Sequence, residues 1–286
     1  MALSGTGSGA REGSADMGAE ATTIGGLLAL HARTIPAAPA LLAPGRPPLS
    51  YGALGAGIEH LVRTLRGLGI APSDRVAVAL PRGADGALAL IAVASACACV
   101  PVNPDLTADE LQRYFSELKL SALVTPVDMN SPSRDVARAL DIAVIDFVPA
   151  PAADLGGCAF VGSTVGPAAS GAAGAEDDAF ILLTSGTAAR PKMVPLTHRN
   201  VCLSAQNAGR VLSLTPHDRL LNVLPLFHAH GLISGLLTAL AAGSSVIVTG
   251  GFDAPSFFGW MRDLQPTWYT AVPTIHRALL TLSLIH

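Results

Sequence analysis

Thr184, Ser185, Gly186 and Thr187 form a run of small residues bearing three hydroxyl groups, and Lys192 follows shortly after. That combination suits the holding of a polyphosphate. Gly186 lets the backbone approach oxygen atoms closely, the hydroxyls donate hydrogen bonds, and the ammonium offsets negative charge. A Walker phosphate loop is excluded, since it needs Gly-x-x-x-x-Gly-Lys followed by Ser or Thr. Here a single Gly precedes Lys192, and Pro191 adjoins it directly. In isolation such a run is more often an ordinary turn, and a lone lysine more often a solvated one.

His228 and His230 stand two positions apart in the stretch from Pro225 to Gly231. On a strand they would share a face, an arrangement that suits a metal, but two histidines without a third ligand fall short of a site. No metal ligands are therefore expected. Asp74, Arg75 and Arg199 read as structural or solvated. The four cysteines, Cys97, Cys99, Cys158 and Cys202, contain no Cys-x-x-Cys pair. They fit reduced, partly buried thiols better than a disulfide frame or a zinc site.

The elements that must position these residues follow from periodicity and caps. Ala179–Leu183 is a short apolar run that reads as a buried strand feeding the hydroxyl-rich turn. Further strands are expected at 75–80, 122–125, 142–147, 220–224, 245–249 and 268–272. Helices are expected at 23–33, 51–68 (capped by Ser50), 85–99, 107–118 (opened by the Thr107/Glu110 capping box), 133–140, 198–212 (capped by Thr197), up to about 241, at 255–264, and from Pro273 onward. Strands alternating with helices imply an α/β fold with parallel sheets flanked by helices. The Ala/Gly/Pro-rich stretch 149–174 reads as a surface loop. Residues 1–22, rich in Gly, Ser and Ala, are expected to be disordered. At 286 residues the chain can bury a sizeable core, and with 50% apolar but only 5% aromatic residues that core must be aliphatic. A net charge of −3 with 14% charged residues gives no electrostatic footprint for nucleic acid, and no run is long enough to span a bilayer.

Thr184–Thr187, Pro191-Lys192 and Val194-Pro-Leu-Thr-His-Arg-Asn200 together resemble the phosphate-loop signature of the adenylate-forming superfamily, which includes acyl-CoA synthetases, luciferases and the adenylation domains of peptide synthetases. Pro225-Leu-Phe-His-x-x-Gly-Leu232 resembles that family's second motif, and Trp268-Tyr-Thr-Ala-Val-Pro-Thr-Ile-His276 the segment before its acyl-binding region. The branch most similar in look is the oxalate–CoA ligases, a group of small-acyl CoA synthetases; medium-chain acyl-CoA ligases share much of the pattern.

The resemblance, which runs from about Thr23 to Thr281, implies an intracellular acid–CoA ligase, cytoplasmic ahead of peroxisomal, with a small carboxylic acid, ATP, Mg²⁺ and coenzyme A as its reaction partners. It implies phosphate contacts from Thr184, Ser185, Gly186, Thr187 and Lys192. It also implies His228 as the gate or orienting group beside the acyl carboxylate, Phe227 packing next to it, and His276 near the substrate; for His230 a structural role is equally expected. Two departures stand out. Ala188-Ala189 replaces a second hydroxyl and a small residue, removing a phosphate hydrogen bond worth about 1.5–3 kcal/mol. Met193 replaces a Gly, which is expected to restrict the loop backbone. The family's lid domain with its catalytic lysine, and its Tyr-Gly-x-Thr-Glu segment, are not found here. Residues 23–286 are accordingly expected to be the N-terminal part of the large domain, truncated, with turnover impaired. The competing expectation is a non-catalytic nucleotide- or acyl-binding remnant, or a partner-binding pseudoenzyme.

Overall fold

The computed structural model describes residues 22–127, 131–149, 151, 156–184 and 192–283. In chain order the elements are α1 (Ile24–Thr34), β1 (Pro39–Leu42), β2 (Leu49–Ser50), α2 (Tyr51–Gly67), β3 (Arg75–Val78), α3 (Ala84–Ala96), β4 (Ala98–Pro101), α4 (Ala108–Leu118), β5 (Ala122–Pro126), α5 (Pro132–Ala139), β6 (Ala143–Val148), β7 (Ala159–Gly162), β8 (Asp178–Thr184), β9 (Lys192–Thr197), α6 (His198–Val211), β10 (Arg219–Asn222), a π-helical segment (His230–Leu237), α7 (Thr238–Ala241), β11 (Ser245–Val248), α8 (Ala254–Leu264), β12 (Trp268–Thr270) and α9 (Pro273–Ser283).

Short polar side chains start the helices. Thr23, Ser50, Thr107, Ser131, Thr197 and Asp253 each accept a hydrogen bond from the backbone N–H three residues on, satisfying a donor the helix cannot. Thr107 and Glu110 form the reciprocal capping box that their spacing predicts.

The strands form two sheets. The larger runs β7-β6-β5-β3-β4-β8-β9, parallel except for its antiparallel edge strands β7 and β9. The smaller runs β12-β10-β11-β1-β2 and is parallel except for β2. A continuous apolar core lies between them, built from α1, α2, α3 and α6 and the facing sides of both sheets. α4 and α5 cover the outer face of the larger sheet, and α8 and α9 that of the smaller one. The order of layers is thus helix, sheet, helix, sheet, helix. α3, buried over nearly its whole circumference, packs on β3, β4 and β8 on one side and on β11 on the other. Among the described residues no helix is long and apolar enough to cross a membrane.

Four local expectations are corrected. The helix expected to reach Cys99 ends at Ala96, because Cys97 turns extended and Ala98–Pro101 pairs with β3. Within the stretch read as a loop, Ala159–Gly162 forms β7 and completes an edge of the larger sheet. Residues 192–197 form β9 rather than continuing a loop. Met193 sits in that ladder opposite Leu183 with its side chain exposed. The helix expected up to Ala241 is π-helical over its first part. Residues 1–21, together with Ser185, Gly186 and Thr187, lie outside the described residues.

Candidate active site

The residues just beyond β3, β4, β10 and β11 meet where the carboxyl ends of the two sheets face each other. Open parallel sheets bind ligands at this end, since the loops there are free to present side chains. Adjoining it is a cleft of about 460 Å³, a size typical of small-molecule sites. Asn103, Glu110 and Tyr114 form one wall, Leu182 and Leu183 another, and Phe227 and His228 a third.

The hairpin of β8 and β9 supplies one side of the chemistry. Leu182 and Leu183 lead directly to Thr184, the last residue of β8, and Thr184 is paired across the ladder with exposed Lys192. Thr184 and Lys192 therefore stand side by side at the mouth of the hairpin, with 185–191 between them in sequence.

The turn from Pro225 to Gly231 supplies the other. His228 N–H donates to Pro225 O at 3.3 Å, and Leu232 N–H to His228 O at 3.0 Å. Beneath the turn lies Asn222, 1% exposed. Its Nδ2 donates to Gly231 O at 2.9 Å, and its Oδ1 accepts from Leu224 N–H at 3.1 Å, so both ends of its amide are used. The helix that follows crosses close over this amide: a Cβ on Gly235 would lie 3.2 Å from Asn222 Nδ2. The π-helical widening accompanies that crossing, with Thr238 Oγ1 donating to the Ile233 carbonyl at 2.9 Å.

The rings of Phe227 and His228 meet edge to face at 4.5 Å, and the Arg82 guanidinium carbon lies over the Phe227 ring, 5.7 Å from its centroid. Partial burial, and secondarily the charge of Arg82, hold the His228 imidazole below its ordinary pKa, so it is neutral at pH 7. His228 and His230 do not share a face. His228 turns to the cleft, whereas His230 Nε2 lies 2.7 Å from Thr270 Oγ1 at the end of β12. Among the described residues no group of three or more His, Cys, Asp or Glu is placed to hold a metal. His276 is exposed in the first turn of α9, with Nδ1 3.3 Å from the Tyr269 hydroxyl, and it is not among the residues lining the cleft. Asp74, Arg75 and Arg199 are structural as expected: Asp74 accepts from Ala71 N–H and the Ser121 hydroxyl, Arg75 donates to Leu118 O, and Arg199 pairs with Glu176.

Sequence reasoning missed Asn222 and Arg82. Asn222 carried a signal, being a lone polar residue inside the apolar run 220–224. Arg82, between a proline and a glycine just past a strand, carried none that separates it from any solvated arginine.

Residues 28–285 match the model of the family described as AMP-binding enzyme. The chain belongs to that family. It is 37% identical over 270 residues to the oxalate–CoA ligase of Arabidopsis thaliana, covering 91% of this chain and 52% of that protein. To the sulfoacetate–CoA ligase of Cupriavidus necator it is 32% identical over 263 residues, covering 90% and 51%. Among solved structures, apo MatB from Rhodopseudomonas palustris superposes with a TM-score of 0.77 at 25% identity, covering 91% of this chain and 51% of that one. This AMP-binding chain thus spans about half the length of the curated relatives it matches, and it corresponds to their N-terminal part.

Proposed function

We propose that this chain is the nucleotide- and acid-binding part of an intracellular acid–CoA ligase acting on a small carboxylic acid. A carboxylate oxygen attacks the α-phosphorus of ATP, taken as Mg·ATP, and pyrophosphate leaves. The sulfur of coenzyme A then attacks the acyl carbon, and AMP leaves. Residues 23–286 form the adenylation part and residues 1–22 a tail.

In this reading Lys192 and the hydroxyls of Thr184, Ser185 and Thr187 hold the β- and γ-phosphates, with Gly186 allowing their close approach. His228, neutral at pH 7, donates an N–H to the acid and orients its carboxylate, with Phe227 packed beside it. His276 belongs to the acyl side. The observation that carries the reading is the meeting of Leu182 and Leu183, which lead into Thr184 at the end of β8, with the Phe227–His228 turn at one cleft, in a chain whose curated relatives are named as CoA ligases. Oxalate and sulfoacetate, the acids in those names, support a small acid over a medium-chain fatty acid.

The test is pyrophosphate release by the purified 286-residue chain with Mg·ATP and oxalate, sulfoacetate or octanoate. Release that depends on one acid and falls about a hundredfold in Lys192→Ala bears the reading out. Folded protein that releases none with any acid refutes it for this chain, and ATP binding by calorimetry then identifies a non-catalytic nucleotide-binding remnant.

A further inference from the structure

We propose that Arg82 is a positioning residue for the Phe227–His228 corner, holding both rings in the cleft through its cation–π contact with Phe227 and its ion pair with Asp105.

The three partners come from three loops. Arg82 lies between β3 and α3, Asp105 between β4 and α4, and Phe227 between β10 and the π-helical segment. The clamp therefore spans the seam between the two sheets. Each partner is fixed on its own side. Gly83, at φ +135°, sets the turn from Arg82 into α3. Asp105 N–H donates to Asn103 Oδ1 at 3.1 Å, closing an Asx turn whose Asn103 lines the cleft. A planar guanidinium can stack on a ring and present its edge to a carboxylate at the same time, which a compact ammonium cannot.

The pair is not there for stability. The Arg82 and Asp105 side chains are 36% and 63% exposed, and ion pairs so open contribute little to folding. What the cation does touch is the ring that meets the imidazole edge to face. It also disfavours a second positive charge on His228, adding to the larger effect of partial burial. The other titratable groups at the cleft are Glu110 and Tyr114 on α4; Glu110 is held by Thr107, and His230 turns to Thr270. Arg82 thus adds a positive charge that acts on His228, second to partial burial.

The experiment is an NMR titration of the histidine C–H signals of the full chain, with His228→Gln assigning His228, in wild type, Arg82→Gln and Arg82→Lys. Circular dichroism melting confirms that both variants fold. Arg82→Gln is expected to raise the His228 midpoint and to reduce the ring-current shift that Phe227 imposes on it. Arg82→Lys is expected to keep the low midpoint while losing the same ring-current shift. An unchanged ring-current shift in both variants overturns the proposal, whatever the midpoint does, because Arg82 then acts by charge alone.

Only the kinetic arm rests on the ligase reading. There Arg82→Gln lowers kcat for pyrophosphate release about tenfold to a hundredfold with KM for the acid unchanged. A raised KM with unchanged kcat would make Arg82 a contact to the acid and sink the positioning role. If wild type releases nothing, the ligase reading fails while the titration still decides the role of Arg82.

Discussion

Gly231 is where one methyl group decides the shape of the cleft wall. A Cβ there would lie 2.4 Å from Pro225 O and 3.0 Å from Leu224 Cβ, so Gly231→Ala must push the turn open. The expected cost is about 1–3 kcal/mol, read as a lower midpoint of urea unfolding, with the His228 NMR signals shifted. Asn222→Ala removes the acceptor of the buried Leu224 N–H and the donor to Gly231 O. Its expected cost is likewise about 1–3 kcal/mol in the same measurement. At this scale the sequence pointed to His228 and Phe227 because a motif frames them. It could not separate them from His230 and His276, whose side chains turn to Thr270 and Tyr269. The partner of His230 lies 40 residues on in the chain, and spacing within one segment does not encode it.

Among the elements, α6, packed on α1 in the core, is also hydrogen-bonded to it through a buried imidazole. His198, the first residue of α6, is fully buried, and its Nδ1 accepts from Ile24 N–H at 3.3 Å. A protonated Nδ1 would face that N–H donor, and burial pushes the His198 pKa down to about 4. In the unfolded chain the group titrates near 6.5. Between these values the unfolded state binds more protons, so stability falls as pH falls from about 6.5 to about 4, by ~3 kcal/mol from this group. Urea unfolding across that window should show wild type losing about that much more stability than His198→Gln, which keeps an acceptor for Ile24 N–H. Helix starts were the most readable elements, because each cap is a local contract between a hydroxyl or carboxylate and an N–H three residues on. Strands β7 and β9 were not. One lies in an Ala/Gly/Pro-rich stretch, and the other carries Pro195, which an edge strand tolerates and a central one does not. The π-helical segment was equally hidden, since it accompanies the close passage of Gly235 over Asn222.

For the whole molecule, the buried thiols give a direct report on integrity. All four cysteines are buried. Burial pushes the Cys202 thiol up to about 12 and raises those of Cys97 and Cys99 as well. Ellman's reagent should therefore find no reactive thiol in the native protein and four in concentrated guanidinium; fast labelling of any native thiol would contradict this core. The α/β class and its parallel sheets were readable from alternating strands and helices. The division into two sheets facing across a shared helical layer was not, because strand order is settled by pairings far apart in the chain, such as β1 with β11 and β4 with β8. That shared layer has its own consequence. α3 touches both sheets, and alanine is the commonest of its buried residues, which leaves the sheets little room to move apart. The helix acts as a shim: the gauge between the β4 and β10 sides of the cleft is set by the thickness of side chains in its hidden middle. Exchanging Ala89 or Ala92, both fully buried, for a bulkier residue would respace the cleft walls without altering a single residue that lines them.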